Sequence, residues 1–215
     1  MNTNLSPILD FNNETNKGML FDVRDGQSYQ VVKIGNQIWL AENFRYLPSI
    51  EKGDLYETSY VYKNDNSYLN LHYGRLYDWD TANSIAPEGW KLPSNEDFIE
   101  LIDFIRKDNN LNDEDEVGSY LKSVNGWDPW AGIKPNNDKY GFNAKPAGCL
   151  NNYGKFDNSG NFNNAGSSAY FWSAAENNSG YANNWLLFYD IGDFNSNGSY
   201  DGKYSRLSVR LIKVM

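Results

Sequence analysis

The sequence is poor in the residues on which much protein chemistry depends. Its 215 residues include one cysteine, one histidine, 3 methionines and 7 prolines. Cys149 alone can close no internal disulfide and supplies no thiolate metal site, which excludes disulfide scaffolds and zinc fingers. His72 lies between Leu71 and Tyr73 with no Ser or Cys nucleophile motif beside it. It reads as a surface or half-buried ring rather than a general base. Positive charge is scarce as well: 19 Lys and Arg against 28 Asp and Glu give a net charge of -9. Such a chain does not bind its partner by phosphates, so nucleic acid is not expected. No stretch approaches the roughly 18 apolar residues that span a bilayer, so no membrane insertion is expected. The opening "MNTNLSPILDFNNETNKGM" has neither a basic n-region nor an apolar run, and no signal peptide is read in it.

What is plentiful is aromatic and amide side chains. Aromatics make up 16%, with 7 Trp, 16 Tyr and 11 Phe, and hydrophobic residues 40%, enough for a packed core. The mean hydropathy is nevertheless -0.70. Asparagine accounts for much of that polarity, at 31 residues.

Residues 1–20 are polar and aperiodic and read as a flexible leader to a single domain over 21–215. "QSYQVVKIGNQIWLAENF" alternates around Gly35-Asn36, a pair suited to the positive-φ turn of a hairpin. Residues 50–70 carry several Tyr and no clean period, and read as an irregular excursion. In "YGRLYDWDTANSIA", Leu76, Trp79 and Asn83 share a helical face, with Pro87 and Gly89 as stop signals. The clearest element is "PSNEDFIELIDFIRKDNN": Ser94 can cap, Asp97 can complete a capping box, and Phe98, Leu101, Ile102 and Ile105 form the apolar stripe. A third short helix is expected over "VGSYLKSVNGW", with Val117, Tyr120, Leu121 and Val124 inward. The "DEDE" before it reads as a solvated helix start rather than a metal site. Beyond Trp127 no helical period survives, so loops and short strands are expected there. "RLSVRLIKVM" reads as a terminal strand paired with the opening hairpin.

The motifs "DVRDGQSYQVVKIGNQIWLAENF", "YGRLYDWDTA", "APEGWKLPSNEDF", "GFNAKPAG", "FWSAAE" and "SVRLIK" stand here in the order and spacing of a known family. Over residues 21–213 the chain resembles the Fibrobacter succinogenes major paralogous domain family. The resemblance implies an α+β, C-type-lectin-like architecture. Its parts are two main helices, paired terminal strands and a long irregular loop region ending in a small antiparallel sheet that displays a binding face. Members often carry Cys at the positions of Ala86 and Leu211 and His at that of Lys91, so the family's usual disulfide is absent. The related formylglycine-generating enzymes use two cysteines, an activity this chain cannot have. Trp39, Trp79, Trp90 and Trp172 read as core. Glu42, Asn43, Arg75 and Arg210 read as buried polar pairs that hold loops.

The segment 176–206, "ENNSGYANNWLLFYDIGDFNSNGSYDGKYSR", lies between two of these motifs. In a strand, Trp185, Leu187 and Tyr189 would face the core. Asn184, Leu186, Phe188 and Asp190 would face outward, with Ile191 and Phe194 near them. Apolar groups amid Asn and Asp suggest a contact surface. Changing the adenines of an Asn codon gives Tyr, Asp, Ser, Ile, Gly, Phe and Leu, the mixture found here. Asparagine enrichment is not itself a signal, since 6 of the 31 lie in this segment. The chain resembles the variable proteins of diversity-generating retroelements. The expected ligand-binding residues are Asn177, Asn178, Tyr181, Asn184, Leu186, Phe188, Asp190, Ile191, Asp193, Asn195, Asn197, Tyr200, Asp201 and Tyr204. Asp193, Asn195, Asn197 and Gly198 match the opening of a calcium loop, but Tyr204 occupies the position of the bidentate Glu, so no metal is assigned. The Asn13, Asn177 and Asn197 sequons carry no weight without a eukaryotic secretory route. The function expected is a non-enzymatic binding module with no cofactor, displayed on a cell surface or secreted, or alternatively carried on a phage virion. Its partner is a protein or glycan on another cell or surface. The alternatives are a fixed-specificity carbohydrate-binding or structural module and a carbohydrate-active enzyme.

Overall fold

The computed structural model describes residues 6–47, 59–61, 73–112, 116–130, 135–151, 161–196 and 200–214. His72 and all but residues 59–61 of the expected 50–70 excursion lie outside the described residues. The fold is mostly β, with three helices among the described residues and two sheets, an α+β arrangement. No described helix is long and apolar enough to cross a membrane.

The first sheet begins with β1 (Ile8–Asn12), β2 (Lys17–Asp22), β3 (Gln27–Ile34) and β4 (Gln37–Leu40), consecutive antiparallel neighbours. The expected leader is therefore a hairpin from Ile8 onward, while residues 1–5 lie outside the described residues. Leu9 and Phe11, partly buried, pack against the core, and Gly18 lets the two backbones approach. A Cβ at Gly18 would lie 2.3 Å from the Asp10 carbonyl. The Gly35-Asn36 hairpin forms as expected, with Gly35 at φ 60°.

The second sheet contains β5 (Ser59–Tyr60), β6 (Leu76–Tyr77), β8 (Ala147–Asn151), β9 (Asn161–Ala165), β10 (Ser168–Asn178), β11 (Tyr181–Phe188), β12 (Tyr200–Gly202) and β13 (Leu207–Ser208). Two strands of the first sheet remain: β7 (Trp90–Lys91) and β14 (Ile212–Lys213), which lies between β4 and β7. The single terminal strand expected at 206–215 is thus two short ones. The chain crosses from one sheet to the other at Val209–Leu211, where Val209 O accepts from Phe44 N and Leu211 O from Leu40 N, both at 2.9 Å. Pairing of the two ends is as expected, with Ile212 opposite Trp39.

The helices are α1 (Trp79–Ser84), α2 (Asn95–Asn109) and α3 (Val117–Leu121). The three helices read along the sequence are present, one long and two short, where the resemblance implied two main ones. Leu76 belongs to β6 and not to α1, because Asp78 caps the helix and starts it at Trp79. In α2 the Ser94–Asp97 capping box is complete, the expected stripe is buried, and left-handed Asn110 ends the helix. The helix expected through Val124 stops earlier. Lys122 is extended at its C-cap, and Val124 is 64% exposed.

Two cores result. One joins both sheets through α2: Val32 and Trp39, then Phe98, Leu101, Ile102 and Ile105, then Phe171, Trp185, Leu187 and Phe194. The other gathers Tyr29, Val31, Phe44, Tyr77, Trp79, Trp90, Trp172 and Cys149. Neighbouring Val31 and Val32 enter different cores, so β3 is buried on both faces. The four tryptophans expected in the core are there. The indole N–H groups of Trp39, Trp79 and Trp172 donate to Gln37, the Ser173 carbonyl and the Tyr77 carbonyl.

Candidate functional site

The expected face centres on the β10–β11 hairpin, in which Tyr170 pairs with Leu186 and Trp172 with Asn184. Trp185 and Leu187 face the core as the alternation requires, and Trp185 stacks on Phe98 at 5.2 Å. Leu186 and Phe188 lie on the opposite face, half-buried, with Phe188 edge-on to Tyr170 at 6.5 Å.

Two expectations on this strand are corrected. Asn184, expected outward, is fully buried and donates to Asp201 Oδ2 at 2.8 Å. At this end of β11 the face that carries Ala182 and Asn184 turns onto the second core, where Ala182 is buried, so what would be the outer face is covered. Burial raises the Asp201 carboxyl above its ordinary value, and the bond from Asn184 opposes that rise. Phe194, expected near the surface, is buried against Phe98, Phe171 and Trp185. It lies beyond the end of β11, where strand parity no longer governs.

The turn after β11 is fastened mainly through its backbone. Tyr189 N donates to Ser167 O at 2.8 Å, and Gly118 N donates to Gly192 O at 2.6 Å. Leu186 and Asn195 exchange main-chain bonds at 3.0 and 3.4 Å. The Lys122 ammonium donates to Ile191 O at 2.6 Å and to Phe188 O. Ile191 itself is 43% exposed. Beside it Tyr189 meets Trp130 edge-on at 5.9 Å, and Trp130 is 55% exposed. Asn195 Nδ2 donates to Asp193 Oδ2 at 3.1 Å. The two residues of the calcium-like motif that are described thus bond to each other, while Asn197 lies outside the described residues. Among those residues no group of three or more His, Cys, Asp or Glu side chains is placed to hold a metal ion.

The other end of β11 carries a second group. At the hairpin tip Asn178 Oδ1 accepts from Gly180 N at 3.0 Å, and Gly180 O accepts from Lys203 N at 3.0 Å. Lys203 pairs with Glu176 and lies 4.3 Å from the centre of the Trp79 ring. Tyr181 and Tyr204 are 45% and 44% exposed here.

The expected site residues therefore fall into two clusters rather than one. Asn177, Asn178, Tyr181 and Tyr204 lie at or near the tip. Leu186, Phe188, Asp190, Ile191, Asp193 and Asn195 lie toward the turn. An eight-residue strand at about 3.4 Å per residue separates the two ends. Asn184 and Asp201 bond to each other and lie between them. Tyr200 pairs through its backbone with Asn183. Trp130, Tyr189, Lys122 and Gly118 were not expected at the site. Tyr189 was assigned inward by parity, and the one signal for Lys122 was a cation inside the apolar run "SYLKSV".

The Fibrobacter succinogenes major domain family model matches residues 32–213, which is most of the chain. The chain belongs to this family. No curated protein and no solved structure matches it.

Proposed function

We propose that this member of the family is a non-enzymatic binding module of C-type-lectin-like architecture, displayed on a cell surface, secreted or carried on a phage virion, whose partner is a protein or a glycan. The observation that carries the reading is the turn beyond β11. Its exposed side chains include Ile191, with half-buried Phe188 and Leu186 nearby, while its backbone is fastened to Gly118 of α3, to Lys122 at the end of that helix and to Ser167 just before β10. A rigid backbone presenting apolar and aromatic groups among Asn and Asp lowers the ordering cost of recognition. Paired terminal strands and a long helix against the second sheet support the lectin-like comparison.

The described carboxyls with raised pKa each have a structural partner. Asp78 caps α1, Asp138 accepts from Asn143 N, and Asp201 accepts from Asn184. That supports binding rather than acid–base catalysis. The residue mixture over 176–206 further supports diversification by a retroelement, confined to the exposed positions. Buried Asn184 and Phe194 belong to the fixed scaffold.

The test is a pair of glycan and protein arrays probed with the wild type and with a Phe188→Ser/Ile191→Ser double variant. The expected result is a set of signals that the double variant loses while its melting temperature stays within a few degrees. Identical array profiles for the two proteins would overturn the assignment of this face. A near-copy of codons 176–206 differing only at adenines, beside a reverse transcriptase gene, is the expected genomic signature. Its absence would leave a module of fixed specificity.

A further inference from the structure

The main-chain and Lys122 fastenings of the 186–195 turn end on backbone groups of that turn. Lys122 reaches the Phe188 and Ile191 carbonyls, Gly118 N reaches the Gly192 carbonyl, Ser167 O takes the Tyr189 N–H, and Leu186 and Asn195 bond through their main chains. Resting on the binding reading above, we propose that Lys122 is the positioning residue of the face. It holds the turn at 188–191 through main-chain carbonyls, so the side chains of Phe188 and Ile191, and that of Asp190 so long as it stays acidic, can change identity without changing the turn's shape.

The geometry suits that role. Lys122 is fully buried, and its own backbone is fixed on two sides. Its N–H donates to Gly118 O at 2.9 Å, and its neighbours bond to Ala144, with Ser123 N to Ala144 O at 3.0 Å and Ala144 N to Leu121 O at 2.9 Å. The ammonium therefore projects from a rigid point. An ammonium has three donors. Two are met by the turn carbonyls, and the Trp127 ring lies 5.1 Å from Nζ, within range of a cation–π contact. Burial lowers the Lys122 pKa to about 8, while Asp190 and Asp193 on the same turn pull the other way, so the group is charged at neutral pH. A charge-assisted bond to a carbonyl is stronger than a neutral one. It is also indifferent to the side chain that the carbonyl's residue carries.

The experiment is amide hydrogen exchange over residues 186–195, with no partner present, so that its failure is distinct from failure of the binding reading. Three full-length proteins are compared: wild type, a Phe188→Ser/Asp190→Glu/Ile191→Ser triple variant that keeps the acidic charge beside Lys122, and Lys122→Ala. We expect the triple variant to exchange like the wild type and Lys122→Ala to exchange about tenfold faster over 188–193, with Val32 and Trp39 amides unchanged. Propylammonium chloride, which replaces the deleted stem and ammonium, should restore protection to Lys122→Ala, and sodium chloride at equal concentration should not. The proposal is overturned if the triple variant exchanges as fast as Lys122→Ala, if Lys122→Ala stays protected, or if propylammonium does no more than sodium. Should Lys122→Ala fail to fold, Lys122→Met keeps the stem, lacks only the donors, and is read against the triple variant in the same way.

Discussion

Arg210 donates from Nη2 to Asn43 Oδ1 at 2.6 Å, joining residues 167 positions apart. The guanidinium is fully buried and also donates to the carbonyls of Phe142 at 2.6 Å and Leu40 at 3.1 Å. Its carbon lies 4.6 Å from the Phe142 ring centre. Burial lowers its pKa to about 9, opposed by Asp138 and Glu42. The last strands are thus bracketed to the loop after β4 by a cation inside the core. Asn43 extends the bracket by donating to Tyr73 O at 2.9 Å and to Ser208 Oγ at 3.3 Å.

Asn43→Ala should therefore be severely destabilising. It leaves the buried Arg210 Nη2 with only its longer bond to the Asn143 carbonyl at 3.4 Å and removes the bonds to the Tyr73 carbonyl and Ser208, which costs on the order of 3 kcal/mol. Urea unfolding of the two proteins checks this, and a loss below about 1 kcal/mol would show that the bracket is dispensable.

Local chemistry was the legible part of this fold. The Ser94 capping box, the α2 stripe and the Gly35-Asn36 turn each depend on residues within a few positions, and each forms as the sequence predicts. The hairpin at 8–22 was hidden because Leu9 and Phe11 are its first inward groups, while Ile8, Met19 and Phe21 are exposed. Leu76 has helical spacing to Trp79, yet the Asp78 cap and pairing with β13 place it in a strand. At the site, parity placed Trp185 and Leu187 correctly and failed where both faces of the strand are buried, at Asn184, or where the strand has ended, at Phe194. The Lys122 bonds span 66 and 69 residues, and no local pattern encodes them.

Cys149 should behave as an inert thiol. It is buried, its Sγ lies 3.3 Å from Asn151 Oδ1, and burial raises its pKa to about 12. At pH 8 the thiolate fraction is then on the order of 1 in 10,000. An aromatic disulfide reagent should find no reactive thiol in the native protein and one per chain in concentrated urea. Native labelling within minutes would contradict the burial.

Asp138 supplies a pH dependence. Its backbone is left-handed at φ 45°, its Oδ1 accepts from Asn143 N at 2.7 Å, and burial raises its pKa to about 6. Arg210, Lys145 and Lys17 act in the opposite sense. An acid whose folded pKa exceeds its ordinary 3.8 binds its proton more tightly when folded, so its contribution to stability falls as pH rises from 3.8 to 6 and is level above that. Asp138→Asn keeps the shape and cannot titrate. Acidifying from neutrality to about pH 4 should favour wild type over the variant, by on the order of 1 kcal/mol because solvent screens part of the group. Urea midpoints across that range test the sign, and parallel curves for the two proteins would refute it.

Gly118 sets two effects of opposite sign against each other. It lies inside α3, where Ala is intrinsically favoured over Gly by about 1 kcal/mol. A Cβ there would, however, lie 2.6 Å from the carbonyl oxygens of both Gly192 and Asp193 and 2.8 Å from Leu187 Cδ2. Two of those neighbours are backbone of the turn that presents Ile191, so the turn must move away. Overpacking of this kind costs about 1–3 kcal/mol, and weakening the 2.6 Å bond from Gly118 N to Gly192 O adds about 1. The sterics win, and Gly118→Ala should lower stability by roughly 1–3 kcal/mol, or about 2–4 °C in melting temperature per kcal/mol for a chain of this size. Gly202→Ala in β12 is the control, since nothing lies within 4 Å of a Cβ built there, and it should melt within about 1 °C of wild type. Calorimetry on the pair separates the outcomes. A Gly118→Ala protein as stable as wild type would mean that the turn is not seated on α3 closely enough to be displaced by a methyl group.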